Sequence, residues 1–151
     1  MLVYRIDKKK YQDTFPPKGS LYSEGRWNTK SMFVVYTSES ASLAKLEILA
    51  NSGSKIPKNR VLRIFDVDDA SPLIQITAKD LPKDWSAVPY PRYLSSIIKN
   101  IMDSGAYVGA IVPSAQSPRD NNILLFPEHK DFRKYVKEVD IEDEYFDPRL
   151  K

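Results

Sequence analysis

Hydrophobic and polar positions fall into two periods along this chain. LVYRI (2–6) and RVLRIFDV (60–67) place apolar residues at every second position, as half-buried strands do. FVVYT (33–37), AYVGAIV (106–112) and NILLF (122–126) are short, nearly continuous apolar runs bounded by turn residues, the pattern of strands buried on both faces. LIQI (73–76) predicts a short strand, and KYVKEVDIE (134–142) alternates like an outer one. Two segments have the helical period instead. From Ser38 to about Asn51, serines able to cap precede Leu43, Leu46, Ile48 and Leu49, and Gly53 follows as a stop. YLSSIIKNIMDSG (93–105) gathers Leu94, Ile97, Ile98, Ile101 and Met102 on one face and ends in glycine. Strands, helix, strands, helix, strands: this order predicts an α+β domain, a mixed or antiparallel sheet core with few helices.

Length supports a single domain over residues 1–151, since a chain of this size buries roughly two thirds of its unfolded surface in one core. Eleven prolines against five glycines argue for many defined turns rather than disorder, notably in the loop PPKGSLYSEGRWN and in LPKDWSAVPYP. No repeat or low-complexity linker divides the chain. The net charge of +3 is spread among acidic residues, and its one run, Lys8–Lys10, reads as a solvated loop, so a nucleic-acid surface is not expected. With no cysteine and a single histidine, His129, neither thiolate nor histidine metal sites are expected. No stretch approaches a membrane span and the N-terminus lacks the order of a secretory signal, so a cytoplasmic protein is expected. Walker, GxGxxG and GxSxG motifs are absent.

The chemistry-bearing residues are few. Arg26, in a glycine-flanked loop beside Trp27 and Asn28, is either solvated or folded onto the body, where a guanidinium suits phosphate or carboxylate recognition. Tyr36 is either a half-buried strand residue or a platform for a ligand. Glu47, between Leu46 and Ile48, is either the solvent face of its helix or a carboxylate in a site. Ser114 directly follows a buried strand and a proline, the position of a residue presented at a sheet edge. Asn121 and Asn122 are able to cap or turn the chain.

Together, GRWN (25–28), VVYTS (34–38), SLAKLE (42–47), VPSA (112–115), and NN with LLFPEHKDF (121–132) resemble the RES-domain family, the toxin half of bacterial RES–Xre toxin–antitoxin pairs; LPKDW (81–85) and FDPRL (146–150) look like it as well. The order of these motifs makes the resemblance more specific than any one of them. It implies a fold like that of the ADP-ribosyltransferase toxins, consumption of NAD by glycohydrolysis or phosphorolysis, and an Xre-like antitoxin as partner, which would bind DNA for the complex. Homodimerisation is a further expectation. The arginine, glutamate and serine that name the family fall on Arg26, Glu47 and Ser114, with Tyr36 a further catalytic candidate. NAD would be substrate rather than redox cofactor, with no metal, and its expected contacts are Arg5, Arg26, Asn28, Tyr36, Ser114 and Asn122. The loop PPKGSLYSE before GRWN departs from the small-residue run usual in the family. Protein ADP-ribosylation is the alternative within the enzyme class, and a non-enzymatic binding module docking through that loop or the tail EYFDPRL is the alternative outside it.

Overall fold

A computed structural model describes residues 1–151. Its centre is one seven-stranded sheet: β1 (Leu2–Lys8), β2 (Val35–Ser38), β3 (Arg60–Val67), β4 (Leu73–Gln75), β5 (Gly109–Pro113), β6 (Asn121–Leu125) and β7 (Val136–Glu144), in the order β4-β5-β6-β2-β1-β3-β7. Only β4 and β5 run parallel; the other neighbours are antiparallel, so the sheet is mixed. Three helices accompany it: α1 (Ala41–Asn51), α2 (Tyr93–Ser104) and the single turn α3 (Phe132–Tyr135). The domain is α+β, as the two periods of the sequence predict.

Several boundaries differ from the pattern. The run 33–37 becomes a strand only from Val35, because Ser20 Oγ, inside the long loop, accepts the Val34 amide at 2.9 Å before ladder pairing begins. Ser38 and Ser40 are not helical; Ser40 is the N-cap, its side chain accepting the Leu43 amide at 3.1 Å. The apolar run 106–112 forms a strand only from Gly109, where a Cβ would lie 2.5 Å from the Leu124 carbonyl of the neighbouring strand. Alternation from 134 hides a helical turn, since α3 precedes β7. Gly105 ends α2 at φ +67°, a left-handed position that glycine adopts without strain.

Alternation divides the core. Leu124 and Phe126 join Ala110, Val112, Leu94, Ile98, Trp27 and Trp85 on the α2 side, while Ile123 and Leu125 pack with Val3, Val35, Phe65 and Val67 on the other. A smaller cluster of Ile6, Ala44, Leu62 and Phe146 seats α1 on β1 and β3. Phe146, from the tail considered as a docking surface, is therefore core, while Tyr145 and residues 147–150 on either side of it are exposed.

The join between β1 and β2 shapes the site. β1 and β3 pair over seven residues, and β2 and β6 over four, but β1 and β2 share the single register pair Tyr4↔Ser38. The two halves of the sheet part at that seam. Arg5 Nη1 donates across it to the Tyr36 carbonyl at 3.1 Å, supplying the partner that a ladder would otherwise provide.

Candidate active site

A cleft of about 470 Å³ opens along the seam, within the range of small-molecule and cofactor sites. Its walls are β1, the loop 19–28, the end of β2, the inner face of α1, Tyr90 and the turn after β5. Arg5, Arg26, Asn28, Tyr36, Glu47 and Asn122 all line it.

Glu47 is the centre of the arrangement. Helical spacing puts it one turn from Leu43 and Ala44, which are buried, so its side chain points between the sheet halves rather than into solvent. Ser114 Oγ donates to its Oε1 at 2.7 Å and Asn122 Nδ2 donates to the same oxygen at 2.7 Å. Asn122 is itself aimed by Ser38, whose hydroxyl donates to Asn122 Oδ1 at 2.8 Å across a register pair of β2 and β6. Gln116 completes the set. Its amide is assigned with the nitrogen toward the carboxylate, since the opposite orientation would oppose oxygen to oxygen, and so placed it donates to Oε1 and Oε2 at 3.0 and 2.8 Å. Three neutral side chains thus hold the carboxylate, with three contacts on Oε1 and one on Oε2.

Ser114 differs from its expectation as a residue presented at the sheet edge. It is wholly buried, because the turn from Ser114 to Asp120 folds back on itself through the Ser114 amide to the Asp120 carbonyl at 3.0 Å and the Ser117 amide to Ser114 Oγ at 3.2 Å. Its hydroxyl meets Glu47 from behind rather than facing the cleft.

Arg26 reaches the cleft from the opposite wall. Its Nη1 donates to the Trp85 and Ala87 carbonyls, both at 2.9 Å, which fixes the plane of the guanidinium and leaves Nε and Nη2 without a partner in the chain. Tyr90 lies beneath it, the ring centroid 5.8 Å from the guanidinium carbon. Burial lowers the Arg26 pKa and Glu47 opposes that fall, yet an arginine remains a cation throughout the physiological range.

Tyr36 closes the loop onto the sheet. Its hydroxyl donates to Asn28 Oδ1 at 2.6 Å and accepts the Trp27 amide at 3.1 Å, and burial raises its pKa. Asn28, expected against a nucleotide, is engaged by the protein on both ends of its amide, Nδ2 donating to the Ser20 and Thr29 carbonyls at 3.1 and 3.0 Å. GRWN is a tight two-way bridge, the Gly25 and Asn28 amides each donating to the other's carbonyl. A Cβ on Gly25 would lie 2.7 Å from Tyr36 Oη, so only glycine fits. Arg5 lines the cleft but is paired, its Nε donating to both Asp7 oxygens at 3.0 and 2.9 Å. No group of three or more His, Cys, Asp or Glu side chains is placed to hold a metal ion.

Sequence reasoning missed Gln116, Ser38 and Asp7. Asp7 carried a signal, two residues after Arg5 on one strand face. Gln116 carried none, because its approach to Glu47 depends on how the turn after β5 closes.

Comparison with known proteins decides the family. The chain matches the RES domain over residues 2–147. It belongs to the RES-domain family. Toxin Res of Yersinia enterocolitica is 32% identical over 154 residues, covering all of both chains. Toxin Res of Photorhabdus laumondii is 31% identical over 163 residues, covering 99% of this RES domain and 97% of the relative. The Prs ADP-ribosylating toxin of Sphingobium sp. is 33% identical over 150 residues, with 95% and 91% covered. Among solved structures, the M. tuberculosis MbcT–MbcA toxin–antitoxin complex contains a chain with the same fold: TM-score 0.67 at 15% identity, covering 95% of this RES domain and 84% of that chain.

Proposed function

We propose that this RES domain is the toxin of a toxin–antitoxin pair and that it destroys NAD by cleaving the bond between nicotinamide and ribose. The observation that carries the reading is Glu47, a carboxylate held by three neutral donors at the wall of a cleft that also presents a guanidinium with two unpaired nitrogens. Cleavage sends the bonding electron pair to the nicotinamide nitrogen, which loses its positive charge, while positive charge grows on the ribose carbon. A fixed carboxylate beside that carbon stabilises the growing charge without having to reorient, the electrostatic term that dominates many enzymes. Water or phosphate then supplies the oxygen bonded to that carbon, Glu47 accepting or directing its proton.

The remaining residues have roles consistent with this. Arg26, its plane fixed by two carbonyls, offers its free edge to the pyrophosphate. Tyr36, pinned at its hydroxyl, presents ring surface to the cationic nicotinamide. Ser114, Asn28 and Asn122 hold the other groups in place rather than the nucleotide, which revises the contacts expected from sequence. A second reading, transfer of ADP-ribose to a protein, is favoured by one finding, the name of the Sphingobium relative. The partner in either case is an antitoxin, supported by the toxin names of the relatives and by the toxin–antitoxin complex of the fold neighbour; its Xre type is what the resemblance of the sequence implies.

Expression in a bacterial host tests the proposal. Induction of the wild type is expected to arrest growth and deplete cellular NAD, with Glu47→Gln doing neither and co-expression of the neighbouring antitoxin gene relieving both. Arrest by Glu47→Gln equal to that of the wild type would overturn the enzymatic reading in favour of a binding module.

A further inference from the structure

The hydrogen bonds to Glu47 divide its two oxygens. Oε1 is anchored by two donors that solvent barely reaches, Ser114 wholly buried and Asn122 8% exposed, each at 2.7 Å. Oε2 has one partner only, Gln116, at 2.8 Å. Gln116 is an exposed residue on the turn that follows β5, and it forms part of the cleft wall. The carboxylate therefore has a locked oxygen facing the protein and a working oxygen whose direction is set from a surface turn.

We propose that Gln116 is a positioning residue, clamping the Glu47 carboxylate through one amide so that Oε2 faces the substrate, in a role distinct from the buried anchors on Oε1. The inference rests on the reading of Glu47 as the catalytic carboxylate. A carboxylate anchored at one oxygen still rotates about its terminal torsion, a broad and soft coordinate, and a donor touching both oxygens is what removes that freedom. An amide N–H binds a charged carboxylate more strongly than a neutral carboxyl. The charged and titratable groups that share the cleft with Glu47 are Arg26 and Glu24 from the loop, Arg5 from β1, and the phenols of Tyr4, Tyr36 and Tyr90, and Gln116 carries no charge of its own among them.

The test compares wild type, Gln116→Met, Gln116→Glu and Glu47→Gln by nicotinamide release from NAD across pH, with thermal melting to verify folding. Gln116→Met keeps the length and removes the donor; Gln116→Glu sets a like charge against Glu47. We expect kcat to fall roughly 10-fold in Gln116→Met with little change in KM, as misorientation of a catalytic group does. The acidic limb of kcat/KM is expected to move to higher pH in Gln116→Met and further, on the order of one unit, in Gln116→Glu. Folded variants whose acidic limb coincides with that of the wild type would overturn the inference, even if their rates fell, because a turn that is merely structural does not touch the ionisation. Full activity in Glu47→Gln would instead overturn the reading on which the inference stands.

Discussion

At the residue scale, the site is a set of side chains committed to one another, with little left to chance except the faces they turn to the cleft. Ser114 illustrates it. Because its hydroxyl lies behind Glu47, Ser114→Ala is expected to reduce NAD cleavage roughly 10- to 100-fold through misalignment of the carboxylate, and to cost about 1–3 kcal/mol of stability through a lost charge-assisted hydrogen bond. Steady-state kinetics and urea unfolding measure both; a variant with wild-type kcat would contradict the arrangement. Tyr36 gives a pH signature. Free tyrosine titrates near pH 10, and burial raises this one in the folded state. The native protein thus retains a proton that the unfolded chain releases above about pH 10, so the contribution of Tyr36 to stability is complete below that pH and falls as pH rises beyond it. The stability gap between wild type and Tyr36→Phe is expected to shrink between pH 8 and pH 11 in urea titrations, and a constant gap would show that the phenol is not held protonated. Sequence carried part of this. Arg26, Tyr36 and Glu47 were legible as candidates from motif order, but that Ser114 and Asn28 serve other residues was not, since burial depends on how distant segments close.

At the scale of elements, local rules located the strands and helices well and their ends less well. Periodicity found β1, β3, α1 and α2, although β1 and β3 bury residues on both faces, Val3, Phe65 and Val67 in one core and Ile6 and Leu62 in another. It placed the starts of β2 and β5 too early because apolar runs flanking a strand look like strand, and pairing partners, not composition, decide where the ladder begins. The turn α3 was hidden for the same reason, four residues being too few to show a helical period. The loop before β2 is the element on which the cleft depends most. Its bridge between Gly25 and Asn28 approaches Tyr36 so closely that an added methyl lies 2.7 Å from the phenol oxygen. Gly25→Ala is therefore expected to displace Tyr36 and Arg26 together, cutting activity by an order of magnitude or more while leaving the distant cores intact. A crystal structure or nuclear magnetic resonance fingerprint in which the variant superimposes on the wild type at Tyr36 would refute that coupling.

For the whole molecule, the design problem is a sheet that parts in the middle yet stays one body. Charged residues bridge from the seam to the far edge. Arg5 spans from β1 to the Tyr36 carbonyl, Asp7 joins Arg5 to Arg63, and Arg63, wholly buried on β3, donates to both Glu138 oxygens of β7 at 2.7 and 3.0 Å and to the Thr14 carbonyl at 2.9 Å. Removing the central cation leaves the largely buried Glu138 carboxylate unpaired and Asp7 with Arg5 alone. Arg63→Met is accordingly expected to destabilise the fold by about 3–5 kcal/mol, read as a lowered urea midpoint, whereas a neutral effect would mean that packing alone holds the edge strands. Of this network only the spacing of Arg5 and Asp7 on one strand face carried a signal in the sequence; Arg63 and Glu138, on strands far apart in the chain, look like ordinary strand-surface charges. The α+β class, by contrast, followed from element order alone, because the strands and helices each had to find an apolar partner.

The central claim, that Glu47 turns this cleft into an NAD-cleaving site, is met most directly by proton and phosphorus nuclear magnetic resonance of NAD incubated with purified protein freed of antitoxin, with and without phosphate, beside Glu47→Gln. Release of free nicotinamide by the wild type alone, with ADP-ribose or its 1″-phosphate naming the acceptor, is the expected result. NAD unchanged in both buffers by folded wild-type protein would contradict it.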